Sequence, residues 1–150
     1  MPQSLSNVII HTVFSTKNRE PFLENPELRQ ETHRYQGGVA KTLKCRPLIV
    51  GGVADHVHLL TTLARTVSLA EYVKELKRVS SVWLRNERGI QTFHWQSGYE
   101  VFSVSESVVP KAWSYIEKQE EHHRRQTFQD EFRDLLRRHG IEFDERYVWD

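Results

Sequence analysis

Val8, Ile10, Thr12 and Phe14 alternate with Ile9, His11 and Val13, and this period of two predicts a first strand from Val8 to Ser15. Both sets are mostly apolar, which predicts a central strand covered on at least one side. His11 interrupts the second set and reads as a satisfied strand histidine rather than a ligand. Asn25-Pro26 predicts a helix start, with Asn as N-cap and Pro in the first turn. Leu28, Tyr35, Val39 and Leu43 fall on one face of that helix, and Gly37-Gly38 within it predict a close helix–sheet contact. Pro47 to Val53 predicts a second strand, with Gly51-Gly52 as a bulge, and Asp55 turns the chain into a third strand from His56 to Thr62.

Ser68-Leu69-Ala70-Glu71 has the form of a capping box and opens a long helix whose apolar face is Leu69, Tyr72, Val73, Leu76, Val79, Trp83 and Leu84. Tyr99 to Val104 predicts a fourth strand. Ser107 is placed to cap a third helix with Pro110 in its first turn and Val109, Trp113 and Ile116 as its buried stripe. Thr127 caps a last helix with Phe128, Phe132, Leu135 and Leu136 inward, stopped by Gly140. Strand, helix, strand, strand, helix, strand and then helices is the split βαβ pattern of an α+β, ferredoxin-like fold. It predicts an antiparallel sheet with helices on one face plus C-terminal helices, and the first and third strands at its centre.

Composition narrows the setting. A chain of 150 residues, 38% hydrophobic and 27% charged, is one domain (1–150) with a sizeable core and the composition of a soluble globular protein. It has no apolar run of membrane-spanning length, and no basic leader followed by an apolar segment. The single cysteine, Cys45, fits a reducing cytoplasm and excludes a cysteine-based zinc site. A formal net charge of +1 excludes a generic polyanion binder, so any nucleic-acid surface must come from local clustering. Between Lys74 and Arg88 five basic residues stand against two acidic ones, which reads either as a solvated face or as a surface tracking a nucleic-acid backbone. Lys17 and Arg19, in the polar loop after the first strand, read either as turn residues or as phosphate contacts. Phe93 and Trp95 either stack on bases or pack beneath a loop. The tail 141–150 is aromatic and acidic, and is expected to dock on the body or on a partner subunit so that Tyr147 and Trp149 are covered.

The candidate chemistry lies in Asp55-His56-Val57-His58-Leu59-Leu60. Residues i and i+2 of a strand share a face, so His56 and His58 project together, and two neutral imidazoles at this spacing can hold one divalent metal. The alternative is two ordinary polar positions on a half-exposed strand. Tyr115 and Gln119 fall at i and i+4, one turn apart, with His122 on the same face at i+7.

His56-Val57-His58, followed in order by Tyr115-Ile116-Glu117-Lys118-Gln119, resembles the single-tyrosine HUH transposases, the TnpA-type enzymes of single-strand insertion sequences and their relatives that act on repetitive extragenic palindromes. Val8 to Arg19, Phe93 to Val104 and the capped helix from Ser68 resemble that family too. The resemblance implies His56, His58 and Gln119 as metal ligands, Tyr115 as nucleophile, and Mg²⁺ or Mn²⁺ as the cofactor. It implies metal-dependent cleavage and strand transfer of single-stranded DNA through a 5′-phosphotyrosine, a DNA hairpin as partner, and a homodimer. Lys17, Arg19, Lys74, Lys77, Arg78 and Arg85 are then the candidate DNA contacts. Two other readings stay open: a non-catalytic ferredoxin-like nucleic-acid binder, and a metal phosphoesterase that uses water. A covalent DNA–protein adduct separates the first reading from both.

Overall fold

A computed structural model describes residues 2–150. Its sheet has four strands, β1 (Ile9–Ser15), β2 (Pro47–Gly52), β3 (His56–Thr62) and β4 (Glu100–Val104), in the order β2-β3-β1-β4 with every neighbour antiparallel. The helices are α1 (Pro26–Thr42), α2 (Leu69–Asn86), α3 (Val109–Glu117), α4 (Gln119–His122) and α5 (Phe128–Arg138). The fold is α+β and ferredoxin-like, with β1 and β3 central as the element order predicts. Among the described residues no helix is long and apolar enough to cross a membrane.

The two faces of the sheet build two cores. Ile10, Phe14, Val57 and Leu59 face Val39 and Ala40 of α1 and Tyr72, Val73, Leu76 and Leu84 of α2. The opposite face carries Val13 and Phe102 against Phe128, Phe132, Leu135 and Leu136 of α5, and Ile9 and Leu60 against Ile116 of α3. The C-terminal helices therefore cover the second face, and β1 is buried along its whole length. This is the physical reason its sequence is apolar in both registers.

Three helix starts are capped as their sequences require. The Asn25 side chain accepts from the N–H groups of Glu27 and Leu28, Ser68 accepts from Glu71, and Thr127 accepts from Asp130. Each such cap contributes about 1 kcal/mol. The expected cap at Ser107 is absent. A 3-10 turn at Glu106–Val108 leads into α3, and Ser107 instead pairs with the Ser105 hydroxyl at 3.2 Å. Pro110, three residues on, has no N–H for Ser107 to cap.

Four other expectations change. Trp113, expected inward, is 41% exposed, and Leu69 is 39% exposed. Gly37 and Gly38 do not mediate a tight contact, because a Cβ at Gly37 would have no heavy atom nearer than 3.9 Å and one at Gly38 would meet open space. The β2–β3 irregularity lies between Pro47 and Ile49 rather than at Gly51-Gly52. The pair of glycines serves two closer approaches instead. At φ +153°, Gly52 ends β2 opposite Val57, where a Cβ would lie 2.3 Å from the His56 carbonyl oxygen. At Gly51 a Cβ would lie 2.8 Å from the Ile116 carbonyl oxygen, so only glycine lets α3 rest directly on β2.

In the tail, Val148 and Trp149 pack against the core formed with α5, and the Asp150 carbonyl accepts from the Gly98 N–H at 2.7 Å. The guanidinium groups of Arg19 and Arg133 each lie over the Trp149 ring, whereas Tyr147, expected to be covered, is 65% exposed.

Candidate metal and nucleophile site

The β1–β3 register places His58 opposite Val13 and His56 opposite Ser15, on the face covered by α3, α4 and α5. His11 shares that face, diagonal to His58. Each β3 histidine is held through Nδ1. The His56 Nδ1 lies 2.7 Å from Asp55 Oδ1, and the His58 Nδ1 lies 2.8 Å from His11 Nε2. Both Nε2 atoms are thereby turned to the same point beneath α5. There His58 Nε2 lies 3.0 Å and His56 Nε2 3.4 Å from Glu131 Oε1, and His56 Nε2 lies 3.3 Å from Gln119 Oε1.

The other Glu131 oxygen serves a second pair of partners. Oε2 accepts the Tyr115 hydroxyl hydrogen bond and lies 3.0 Å from His123 Nε2. Glu131 therefore bridges the paired histidines and the tyrosine. His122 lies against the Tyr115 ring, with centroids 4.8 Å apart.

Tyr115 and Gln119 do not sit on one continuous helix, as their spacing predicts. The backbone leaves helical geometry at Lys118, so Tyr115 lies in the last turn of α3 and Gln119 opens α4. The two stay together because Gln119 Nε2 donates to the Tyr115 carbonyl at 3.3 Å. An exposed ion pair from Arg29 on α1 to Glu120 ties α4 to the body on the far side of β2.

Burial makes the charges of the site interdependent. His56, His58, Gln119 and Glu131 are all at most 1% exposed. Burial alone would lower the His56 pKa, but hydrogen bonds to Asp55 and Glu131 outweigh it and raise the value to about 9. For His58 burial wins over the attraction of Glu131, and the pKa is lowered. His11 falls to about 3 through burial and the neighbouring His58. Burial opposes ionisation of Glu131, yet the interaction with His58 and the hydrogen bonds of His123, His56 and His58 hold it ionised, well below the usual carboxylate range. Tyr115 is pushed above the ordinary phenol range by burial and by the Glu131 charge.

The donor set fits a divalent cation. His56, His58, His123 and Glu131 each present one ligand atom, and these atoms all lie within 4.8 Å of one another. Two imidazole nitrogens with their far nitrogens held, one of them by a carboxylate, are a usual arrangement around protein-bound metals. A carboxylate added to the His56, His58 and Gln119 donors makes the set more anionic than those three residues alone.

Glu131, His123 and the pairing of His11 with His58 are not identified from sequence. Glu131 carries a visible signal nonetheless. It lies between Phe128 at i−3 and Leu135 at i+4, a lone acid on the apolar stripe of α5. No comparable sequence signal marks His123.

Of the six candidate DNA contacts, Lys74, Lys77 and Arg78 line one groove with Gln96 and Tyr99, and Lys17, Arg19 and Arg85 lie outside it. Lys77 Nζ donates to the carbonyls of Gln96, Ser97 and Gly98 and is pushed down to about 8 by burial. Arg85 donates to the Phe93 carbonyl, Arg78 pairs with Glu75, and Arg19 lies over Trp149. Lys17 and Lys74 are exposed. Phe93 and Trp95 are buried, and Trp95 donates its indole N–H to Ser80, so these rings pack rather than face solvent.

Two solved structures share this fold. One is a candidate transposase from Deinococcus radiodurans R1, 22% identical with a TM-score of 0.62, and the match covers 79% of this chain and 98% of that one. The other is a REP-associated tyrosine transposase bound to a REP hairpin, 13% identical with a TM-score of 0.59, where the match covers 82% of this chain and 72% of that one. No curated protein matches the sequence. The family model for IS200-like transposases matches residues 4–119, a span that includes both β3 histidines, Tyr115 and Gln119, and the chain belongs to that family.

Proposed function

We propose that this transposase cleaves and rejoins single-stranded DNA through a covalent 5′-phosphotyrosine on Tyr115. The observation that carries the reading is the shared carboxylate: Glu131 holds the Tyr115 hydroxyl with one oxygen and faces His56 and His58 with the other. His56, His58 and Gln119, with Glu131 as a further donor, hold a divalent cation, Mg²⁺ or Mn²⁺. When bound, that ion supplies charge stabilisation to a phosphoryl group undergoing displacement.

The chain's own residues do the rest. Asp55 and His11 hold the two imidazoles by their Nδ1 atoms, leaving both Nε2 atoms turned inward. Glu131 keeps the Tyr115 hydroxyl oriented and neutral until substrate enters, since the strongly acidic carboxyl is a poor acceptor for the phenol proton. The Tyr115 oxygen forms a bond to phosphorus as the bond to the 3′ oxygen breaks, and the phenolic proton ends on the released 3′-OH. Attack by a second 3′-OH reverses these changes and joins strands, with no nucleotide cofactor. Because the donor atoms are buried beneath α5, entry of a phosphodiester requires α5 to lift from the sheet.

The partner is single-stranded DNA bearing a hairpin, as in the REP-hairpin complex of the structural neighbour. Lys17 and Lys74 are the exposed cations of the sequence-derived set that pair with no acid among the described residues, and they serve as backbone contacts. The homodimer implied by the family resemblance is part of this proposal, and within one chain the histidines and Tyr115 lie around the same Glu131 carboxylate.

The test is a denaturing-gel assay on labelled single-stranded DNA from the gene's own flanks, with Mg²⁺ or Mn²⁺. Wild type should form a metal-dependent covalent adduct that Tyr115→Phe lacks. An adduct that persists in Tyr115→Phe would assign the attack to another residue, and hydrolysis without an adduct would favour a water-using phosphoesterase.

A further inference from the structure

Around the outer edge of β2, α1 and the α3–α4 segment enclose a pocket of about 500 Å³. β2 is an edge strand, so no further strand pairs with its outer side, and residues 49–52 line the pocket. Gly51 and Gly52 add no side chain there, which leaves the backbone open to close approach. The Arg29–Glu120 ion pair ties the α1 wall to the α4 wall.

The pocket adjoins the metal and nucleophile site. Gly51 stands opposite His58 in the β2–β3 register, with the two strands about 4.8 Å apart. Ile116, the residue after Tyr115, lines the pocket, and so does Lys118 at the break between α3 and α4.

His33 of α1 also lines it, and the His33 Nε2 is buried with no hydrogen-bond partner among the described residues. A buried polar atom left unpaired costs stability, so it calls for a role outside the fold. Burial, then the charges of Arg29 and His58, push the His33 pKa down to about 4. The ring is therefore neutral at physiological pH, and a neutral imidazole offers one donor and one acceptor nitrogen.

The charges around the pocket cancel. Arg29, Lys118 and Arg124 stand against Glu117, Glu120 and Glu121. Such a balance gives no net attraction for a phosphate, whereas a neutral heterocycle with hydrogen-bonding edges needs none. The volume is within the range of pockets that hold small organic groups.

We propose that this pocket takes one unstacked base of the single-stranded DNA, next to the phosphate that Tyr115 attacks, and that His33 reads the edge of that base. The inference rests on the proposed single-stranded DNA substrate and adds a base-specific contact beside the cleaved bond. A base seated here fixes which phosphate lies at Tyr115. His33 is thus a specificity-determining residue that takes no part in bond making.

The experiment is fluorescence anisotropy on the full chain carrying Tyr115→Phe, so that binding is read without cleavage. The probe is labelled single-stranded DNA from the gene's own flanks, with an abasic nucleotide placed at each position in turn. At one position the abasic probe should bind about tenfold more weakly than intact DNA. Adding His33→Phe, which keeps a ring and removes both nitrogens, should weaken binding of intact DNA by roughly threefold to tenfold and abolish the response to that position. His33→Gln, which keeps a hydrogen-bonding group, should restore part of the affinity. His33→Phe should not lower the melting temperature, because the Nε2 it removes is unpaired in the fold. The sensitive position should adjoin the bond at which wild type forms its adduct. An equal abasic response with and without His33, or no sensitive position, overturns the pocket assignment alone, since the adduct is scored separately on wild type. A response that depends on His33, with no adduct from wild type, overturns the proposed cleavage and leaves the base pocket in place.

Discussion

The Tyr115 hydroxyl donates to Oε2 of Glu131, sixteen residues further along the chain, while Oε1 of the same carboxylate faces His58 at 3.0 Å. The tyrosine and the histidine pair are therefore linked through one charged group on a different helix. Replacing Glu131 by Gln keeps the shape and removes the charge. In the metal-free protein the His56 pKa should then fall from about 9 toward its ordinary value, because one of the two carboxylates that favour its protonated form is gone. An NMR pH titration of the imidazole resonances measures this directly. Mn²⁺ affinity of the same variant, by calorimetry, should drop at least about tenfold.

Asp55 acts on the metal site from outside it. Its carboxylate accepts from His56 Nδ1 at 2.7 Å, which holds the ring with Nε2 turned toward Glu131 and Gln119. Asp55→Ala should weaken Mn²⁺ binding by about 10- to 100-fold. Its thermal midpoint should change little beside that of His58→Ala, since Asp55 is partly exposed and His58 is fully buried. Calorimetric titration and thermal melts of both variants check the pair of outcomes.

Gly51 positions the nucleophile's helix. A methyl group there would sit 2.8 Å from the Ile116 carbonyl oxygen and 2.9 Å from Ile116 Cγ2. The obstacle is backbone, so α3 must shift rather than a side chain turn. Gly51→Ala should cost about 1–3 kcal/mol of stability. It should also slow adduct formation more than it weakens DNA binding, because Tyr115 moves with Ile116. Denaturant melts and single-turnover adduct assays separate the two effects.

Glu100 supplies a pH test away from the donor atoms. Its carboxyl is buried with neither oxygen hydrogen-bonded, and burial followed by repulsion from Glu131 raises its pKa from 4.5 to about 9. A raised folded-state pKa means that the associated stability is complete below pH 4.5 and is lost as the pH climbs toward 9. Glu100→Gln should therefore stabilise the protein at pH 7, on the order of 2 kcal/mol, and leave it unchanged near pH 4. Melting curves at the two pH values decide it, and an equal effect at both would exclude ionisation as the cause.

The order of strands and helices follows from local patterns. The period of two in β1 and β3, and the caps at Asn25, Ser68 and Thr127, depend only on neighbours within a few residues, so they are visible in the chain. The common face of His56 and His58 follows from strand geometry alone. The break at Lys118 and the absent cap at Ser107 went against local spacing: Pro110 offers Ser107 no N–H, and past the break Gln119 lies beside His56. What only the tertiary structure decided is the set of partners around the two histidines. His11 comes from a neighbouring strand, and Glu131 and His123 come from the far end of the chain. These residues meet because α5 buries Phe128, Phe132, Leu135 and Leu136 against the second face of the sheet. The same packing carries Glu131 into the site, and the charged groups it brings together hold one another once water is excluded. Such a meeting depends on how a helix docks across the sheet, beyond the reach of any local periodicity: His58 and Glu131 stand 73 residues apart in the chain, and His56 is further still from Glu131.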